Sequence, residues 1–196
     1  KIAGDRPVWI CGSTREGEEQ VLLRAFQRVR KLHPELLLLL VPRHPERFDS
    51  VARLCKRSGL KLTRRSRAEE SKVKPDVYLA DTMGELSLLY AAADVAFVGG
   101  SLVESGGQNV LEPCALGVPV CFGPHMFNFT EISRWVLDAG AGFQVKDEDQ
   151  LVVMIDRLLS NPNLRHDSGQ RGKQLMLDHS GALNKAFQLL KDKGFI

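Results

Sequence analysis

Phe97-Val-Gly-Gly-Ser-Leu-Val-Glu-Ser-Gly-Gly-Gln-Asn-Val-Leu-Glu-Pro113 decides how the rest of the chain is read. It predicts a buried strand at Val95–Val98, a loop holding Gly99, Gly100, Gly106 and Gly107, and a helix opening near Asn109. Glycines let such a loop turn tightly and bring backbone N–H groups close to a ligand. The partial positive charge of a following helix start favours an anion such as a phosphate. In open α/β sheets, ligands settle in crevices of this kind beyond the carboxyl ends of parallel strands.

Working outward, apolar runs alternate with helical periodicity along the whole chain. Strands are predicted at Val8–Cys11, Leu36–Val41, Lys61–Thr63, Val77–Leu79, Val95–Val98, Val118–Phe122 and Gly142–Val145. Helices are predicted at Glu16–Leu32, Arg47–Ser58, Glu85–Ala93, Val110–Leu116 and Glu131–Ala139. Further helices follow at Asp149–Leu159, Leu164–Asp178 and Ala182–Lys191. The first helix shows its buried face through Val21, Leu22, Ala25, Val29 and Leu32. This alternation implies an α/β fold, a Rossmann-like doubly wound parallel sheet with helices on both faces and extra C-terminal helices from about residue 149. Lys1 to Arg6 reads as a linker remnant, and residues 7–196 as one domain.

Composition narrows the classes. With 196 residues and 43% hydrophobic content the chain buries a sizeable core. A net charge of +3 does not point to nucleic acid. Basic residues crowd between Lys61 and Lys74, where a solvated surface is the simpler reading. Cys11, Cys55, Cys114 and Cys121 lack metal-site spacing and suit reduced, buried thiols. The apolar run Leu36–Val41 is too short to span a bilayer.

Five segments at strand tips carry polar groups. Ser13 or Thr14 is placed to cap the first helix, with Glu16, Glu18 and Glu19 suiting its positive end, and Ser13 is equally placed for ligand contact. Pro42 and Pro45 hold Arg43 and His44 in an extended loop, where Arg43 suits a bidentate grip on phosphate or carboxylate. Thr82 and Glu85 stand at capping-box distance, and Met83 and Gly84 offer a backbone platform for a base or sugar. Asn109 and Glu112 share that spacing, but a carboxylate at the base of a glycine loop also accepts two ribose hydroxyls, which is the preferred reading of Glu112. Glu104 is a lesser candidate. His125 and Asn128 flank aromatics on a loop stiffened by Pro124.

The set Gly12-Ser-Thr-Arg-Glu-Gly-Glu18, Pro42-Arg-His-Pro-Glu-Arg-Phe48, Arg65-Ser-Arg67, Asp81-Thr-Met-Gly-Glu-Leu86, Phe97 to Pro113, Gly123-Pro-His125 and Asn128-Phe129 closely resembles the C-terminal half of the lipid A Kdo (3-deoxy-D-manno-octulosonic acid) transferases. The resemblance covers nearly the whole chain, and its motifs are specific as a set. It implies a GT-B glycosyltransferase in which this half binds the donor CMP-Kdo. The absent N-terminal half would bind the lipid A precursor and supply the carboxylate base. It further implies a place at the cytoplasmic face of the bacterial inner membrane in lipopolysaccharide biosynthesis, with this piece soluble and membrane contact made only by the full-length protein.

By that resemblance, the donor contacts fall to Ser13, Arg43, His44, Met83, Gly84, Glu85, Gly100, Ser101, Gly106, Gly107, Gln108, Asn109, Glu112, His125 and Asn128. Glu112 would hold the ribose, and Arg43 the phosphate or the Kdo carboxylate. No catalytic base, metal, other cofactor or nucleic acid is expected here, and the piece alone would bind nucleotide without transferring sugar. The chain departs from the family at Arg15 and Gln108, often histidine there, at Val110, often proline, and at Ser105, often arginine. Leu183, Phe187 and Leu190 are expected to form an apolar face, partly exposed without the other half. Two alternatives remain: a GT-B transferase or epimerase using a UDP-sugar, and a non-catalytic nucleotide-binding module.

Overall fold

The computed structural model describes residues 3–70 and 74–192, with side chains described for 3–67 and 74–179. Seven parallel strands form one sheet in the order β3-β4-β2-β1-β5-β6-β7. They are β1 (Val8–Thr14), β2 (Leu37–Pro42), β3 (Leu62–Arg64), β4 (Val77–Leu79), β5 (Val95–Val98), β6 (Val120–Phe122) and β7 (Gly142–Gln144). The helices between and after them are α1 (Glu18–Leu32), α2 (Phe48–Arg57), α3 (Leu86–Ala91), α4 (Leu111–Ala115), α5 (Thr130–Asp138), α6 (Glu148–Ser160) and α7 (Pro162–Asp192).

Every residue of β1 and β2 is buried, the mark of strands covered on both faces. Side chains alternate between two cores. Trp9, Cys11, Leu38, Leu40 and Phe97 pack under α1, α2 and α6, together with Leu22, Phe26, Leu151 and Ile155. Val8, Ile10, Leu37, Leu39, Val98 and Phe122 face the other way, against Tyr90, Val110, Cys114 and Val136. All four cysteines are buried free thiols.

Three local readings change. The C-terminal pattern is one continuous helix, α7, where two had been predicted on either side of residues 179–181. A single helical glycine such as Gly181 costs only about 1 kcal/mol, which neighbouring turns absorb. The side chains of Leu183, Phe187 and Leu190 lie outside the described residues. Arg6, read as linker, donates to the carbonyls of Glu35, Leu36 and Pro75 and so clips the first described turn to the sheet. The strand predicted from Lys61 is shifted to Leu62–Arg64, because Lys61 is exposed and its amide bonds Asp76.

Glycines mark the closest approaches. A Cβ on Gly169 would lie 2.1 Å from the carbonyl oxygen of Gly117, and one on Gly172 only 3.1 Å from Cα of Cys114, so α7 crosses α4 nearly backbone to backbone. At the other end of the sheet, a Cβ on Gly99 would stand 2.5 Å from the carbonyl oxygen of Ser13 and 2.6 Å from Cα of Thr14. Those neighbours are backbone and cannot swing aside. Gly99→Ala is therefore expected to lower stability by about 1–3 kcal/mol in urea unfolding; unchanged stability would contradict this packing.

Candidate functional site

The chain leaves β1 toward β2 on one side, while β5 pairs on the other, so the strand order reverses between β1 and β5. Crevices form beyond the carboxyl ends of strands at such a point. Three strand ends are tied together there: Gly99 N donates to Gly12 O at 2.8 Å, and Arg43 N to Thr14 O at 3.0 Å. Ser13 lies between them in the left-handed region, at φ 55°, beside a break in register with β2. A serine held there stores backbone strain of the kind often found at binding sites.

The carboxylate of Glu18, the first residue of α1, is fully buried under the glycine loop. It accepts from the amides of Gly100 at 2.6 Å, Ser101 at 2.9 Å and Leu102 at 2.9 Å, and from Arg15 N at 2.9 Å. Burial pushes its carboxyl above the ordinary carboxylate range, and these four amides pull it part of the way back. Next to it, buried Glu19 accepts from Thr14 Oγ1 and from both terminal nitrogens of Arg47. Neither Ser13 nor Thr14 caps α1; its N-cap is Gly17, without a side-chain bond.

This arrangement changes the reading of the loop. The Gly100 and Ser101 amides, expected to face a ligand anion, are turned toward Glu18 instead. The Ser101 hydroxyl braces the structure further, donating to Val98 O and accepting from Gly123 N. Gly107 N closes the loop on Gly100 O. A Cβ on Gly106 would collide with Asn128, and one on Gly107 with Met126. Asn128 reaches Ser105 O, and the His125 amide donates to Ser101 O, so both residues support the loop. Glu104 is exposed.

A cavity of about 250 Å³ opens beside this braced loop. Of the expected site residues, Ser13, Arg43, Met83, Gly84, Glu85, Gln108, Asn109 and Glu112 line it. His44, Gly100, Ser101, Gly106, Gly107, His125 and Asn128 do not; His44 turns instead to Arg15. Tyr90 and Phe129 are lining residues that sequence reasoning missed. Both look like core aromatics in the sequence. Tyr90 reveals itself only in space, where a Cβ on Gly12 would fall 2.1 Å from its hydroxyl. Burial, and then the nearby Glu112 charge, raise the Tyr90 phenol above its usual range.

The two capping boxes do not form. Asn109 Oδ1 accepts from Leu111 N two residues on, and α4 starts at Leu111 and runs only to Ala115. Glu112 is thus left half-buried at the cavity wall. Glu85 is drawn to Arg65 at 2.9 Å and to the Thr82 hydroxyl, which holds its carboxyl below the ordinary range. Arg64 bonds Asp81 and Asp49, each at 2.6 Å. Arg43, by contrast, is exposed and forms no ion pair among the described residues. No group of three or more His, Cys, Asp or Glu among the described residues is placed to hold a metal ion. No described helix is long and apolar enough to cross a membrane.

This sheet, with its crevice at the reversal of strand order, is the C-terminal half of a GT-B glycosyltransferase fold. The profile "Glycosyl transferases group 1" matches residues 15–175. The 3-deoxy-D-manno-octulosonic acid transferase of Haemophilus influenzae is 43% identical over 95% of this chain and 44% of its own length. That of Bordetella pertussis is 41% identical over 97% of this chain and 45% of its own length. The chain thus spans less than half the length of these relatives. The crystal structure of the C-terminal CMP-Kdo binding domain of WaaA from Acinetobacter baumannii superposes with a TM-score of 0.82 at 38% identity, covering 89% of this chain and 91% of that one. The chain belongs to the group 1 glycosyltransferases and, within them, to the Kdo transferase family as its C-terminal domain.

Two outcomes follow from the buried carboxylates. Glu18→Gln places an NH₂ against amide donors that need an acceptor, and is expected to cost about 2–4 kcal/mol in urea unfolding; a neutral result would show that the loop does not depend on Glu18. For Asp81, burial raises the carboxyl, but bonds from Ser66 and Arg64 more than offset it and hold it below the usual aspartate range. The unfolded state then binds more protons, so this contribution is present above about pH 4 and is lost as pH falls further. Asp81→Asn should lower stability at pH 7 and flatten the acid limb of a stability–pH profile, whereas an unchanged limb would contradict the pairing.

Proposed function

We propose that this chain is the donor half of a Kdo transferase and binds CMP-Kdo in the crevice between β1 and β5. What carries the reading is the convergence on one cavity of Arg43 after β2, Met83 after β4, and Gln108 and Glu112 from the glycine loop and the helix α4 that follows it. A 250 Å³ cavity, just below the usual range of about 300–1,000 Å³ for ligand sites, suits a nucleoside monophosphate left partly open toward an acceptor. Glu112 accepts the ribose hydroxyls. The main chain at Met83 and Gly84 borders the base, where Gly84, at φ 82°, leaves the platform without a side chain. Arg43 pairs with the phosphate, which explains a guanidinium at the cavity wall without a carboxylate of its own.

In the reaction, an acceptor hydroxyl attacks the anomeric carbon of Kdo. The new glycosidic C–O bond forms as the bond to the CMP oxygen breaks, and the hydroxyl proton passes to a base outside this chain. CMP departs as a phosphate monoester, so charge grows on its oxygens. Arg43 is placed to neutralise that charge, and Gln108 and Asn109 add neutral donors beside it. The acceptor, a lipid A precursor at the inner membrane, is met through the rest of the full-length protein.

Calorimetric titration tests this directly. The chain should bind CMP more tightly than UDP, and Arg43→Ala should weaken CMP about 10- to 100-fold. Tighter binding of UDP, or an Arg43→Ala variant with unchanged affinity, would overturn the reading.

A further inference from the structure

Tyr90, on α3, is only 1% exposed and yet lines the donor cavity. Its ring shares the core cluster of Ile10, Val98 and Val110, and its hydroxyl end lies over the end of β1. A Cβ on Gly12 would stand 2.1 Å from Oη and 2.7 Å from Cζ, so the phenol fills the space that a side chain there would need. Ser13, the next residue, lines the same cavity. Oη forms no hydrogen bond among the described residues, and it is not sealed into the core as Trp9 Nε1 is.

A tyrosine buried this deeply ordinarily finds a partner for its O–H. Packing alone would be served by phenylalanine, which brings no polar atom to satisfy. Burial first, and then the charge of Glu112, hold the phenol above its usual range. It therefore stays protonated and able to donate at neutral pH. Glu112 reaches the cavity from α4, half-buried, and a carboxylate only accepts. The wall thus presents a donor without an acceptor and an acceptor whose charge is felt by that donor, with no hydrogen bond between the two.

We propose that Tyr90 is a specificity-determining residue for the nucleotide: its hydroxyl donates to the oxygen of a ribose hydroxyl whose own proton is given to Glu112. The proposal rests on the reading of Glu112 as the ribose acceptor and deepens it. A hydroxyl both gives and accepts a hydrogen bond, so a carboxylate alone meets half of it. Tyr90 meets the other half and fixes the sugar between the end of β1 and α4. A deoxy sugar leaves Oη and the carboxylate unmet together, the kind of loss that separates substrates differing by one hydroxyl. The cavity thereby tells a ribonucleotide from its deoxy counterpart.

The test is calorimetric titration of this chain with CMP, 2′-deoxy-CMP and 3′-deoxy-CMP. Wild type should prefer CMP to at least one deoxy analogue by about tenfold or more. Tyr90→Phe should shrink that preference about fivefold, because the deoxy analogue loses nothing by the change. A purely structural role would weaken all three ligands in equal proportion, and that outcome overturns the proposal. So does a preference that Tyr90→Phe leaves unchanged. Should Tyr90→Phe fail to fold, the wild-type chain crystallised with CMP reads the same contact: Oη within hydrogen-bond distance of a ribose oxygen supports it, and a ribose turned away from Oη overturns it. Wild type that binds CMP with no preference over either analogue overturns the ribose pairing and leaves the nucleotide site standing. Wild type that binds none of the three overturns both.

Discussion

The architecture of the binding edge depends on one buried carboxylate. Glu18 gathers amides from the turn after β1 and from the loop after β5, with no ion pair among the described residues. Backbone donors serve a buried carboxylate well, because they are fixed and each is satisfied in return. The result couples the two strands between which the sheet order reverses. Without that clamp, a loop holding Gly99, Gly100, Gly106 and Gly107 would have many conformations to choose from and no reason to keep one.

Once the loop is closed on Glu18, it becomes a wall and the open space lies beside it. The wall is continued by residues that settle one another's charges: Arg47 on Glu19, Arg64 on Asp81, Arg65 on Glu85. Against that background of matched pairs, Arg43 is the arginine of the cavity wall, and it forms no ion pair among the described residues. The site is thus recognisable by what its side chains lack as much as by what they present. Arg43 stands there beside a strained Ser13 and an open cavity.

Much of this was legible in the chain. The strands announced themselves because Trp9–Cys11, Leu37–Val41 and Val95–Val98 are buried on both faces and so carry unbroken apolar runs. The crevice residues Arg43, Met83 and Glu112 were found because prolines and glycines mark strand tips. What stayed hidden depends on partners distant in sequence. Glu18 looked like a charge favouring a helix start, and only folding shows that it meets amides more than eighty residues away. Thr82–Glu85 matched a capping box, but Arg65 takes the Glu85 carboxylate, so an ion pair wins over the local motif. The glycines suggested an anion cradle by composition alone, and nothing in their spacing tells whether the anion belongs to a ligand or to the protein.

The most direct measurement is a crystal structure of this chain soaked with CMP. Nucleotide density is expected between Arg43, Met83 and Glu112, with the Gly100–Leu102 amides still bonded to Glu18. Density lying instead on those amides, with the Glu18 carboxylate displaced, would contradict it.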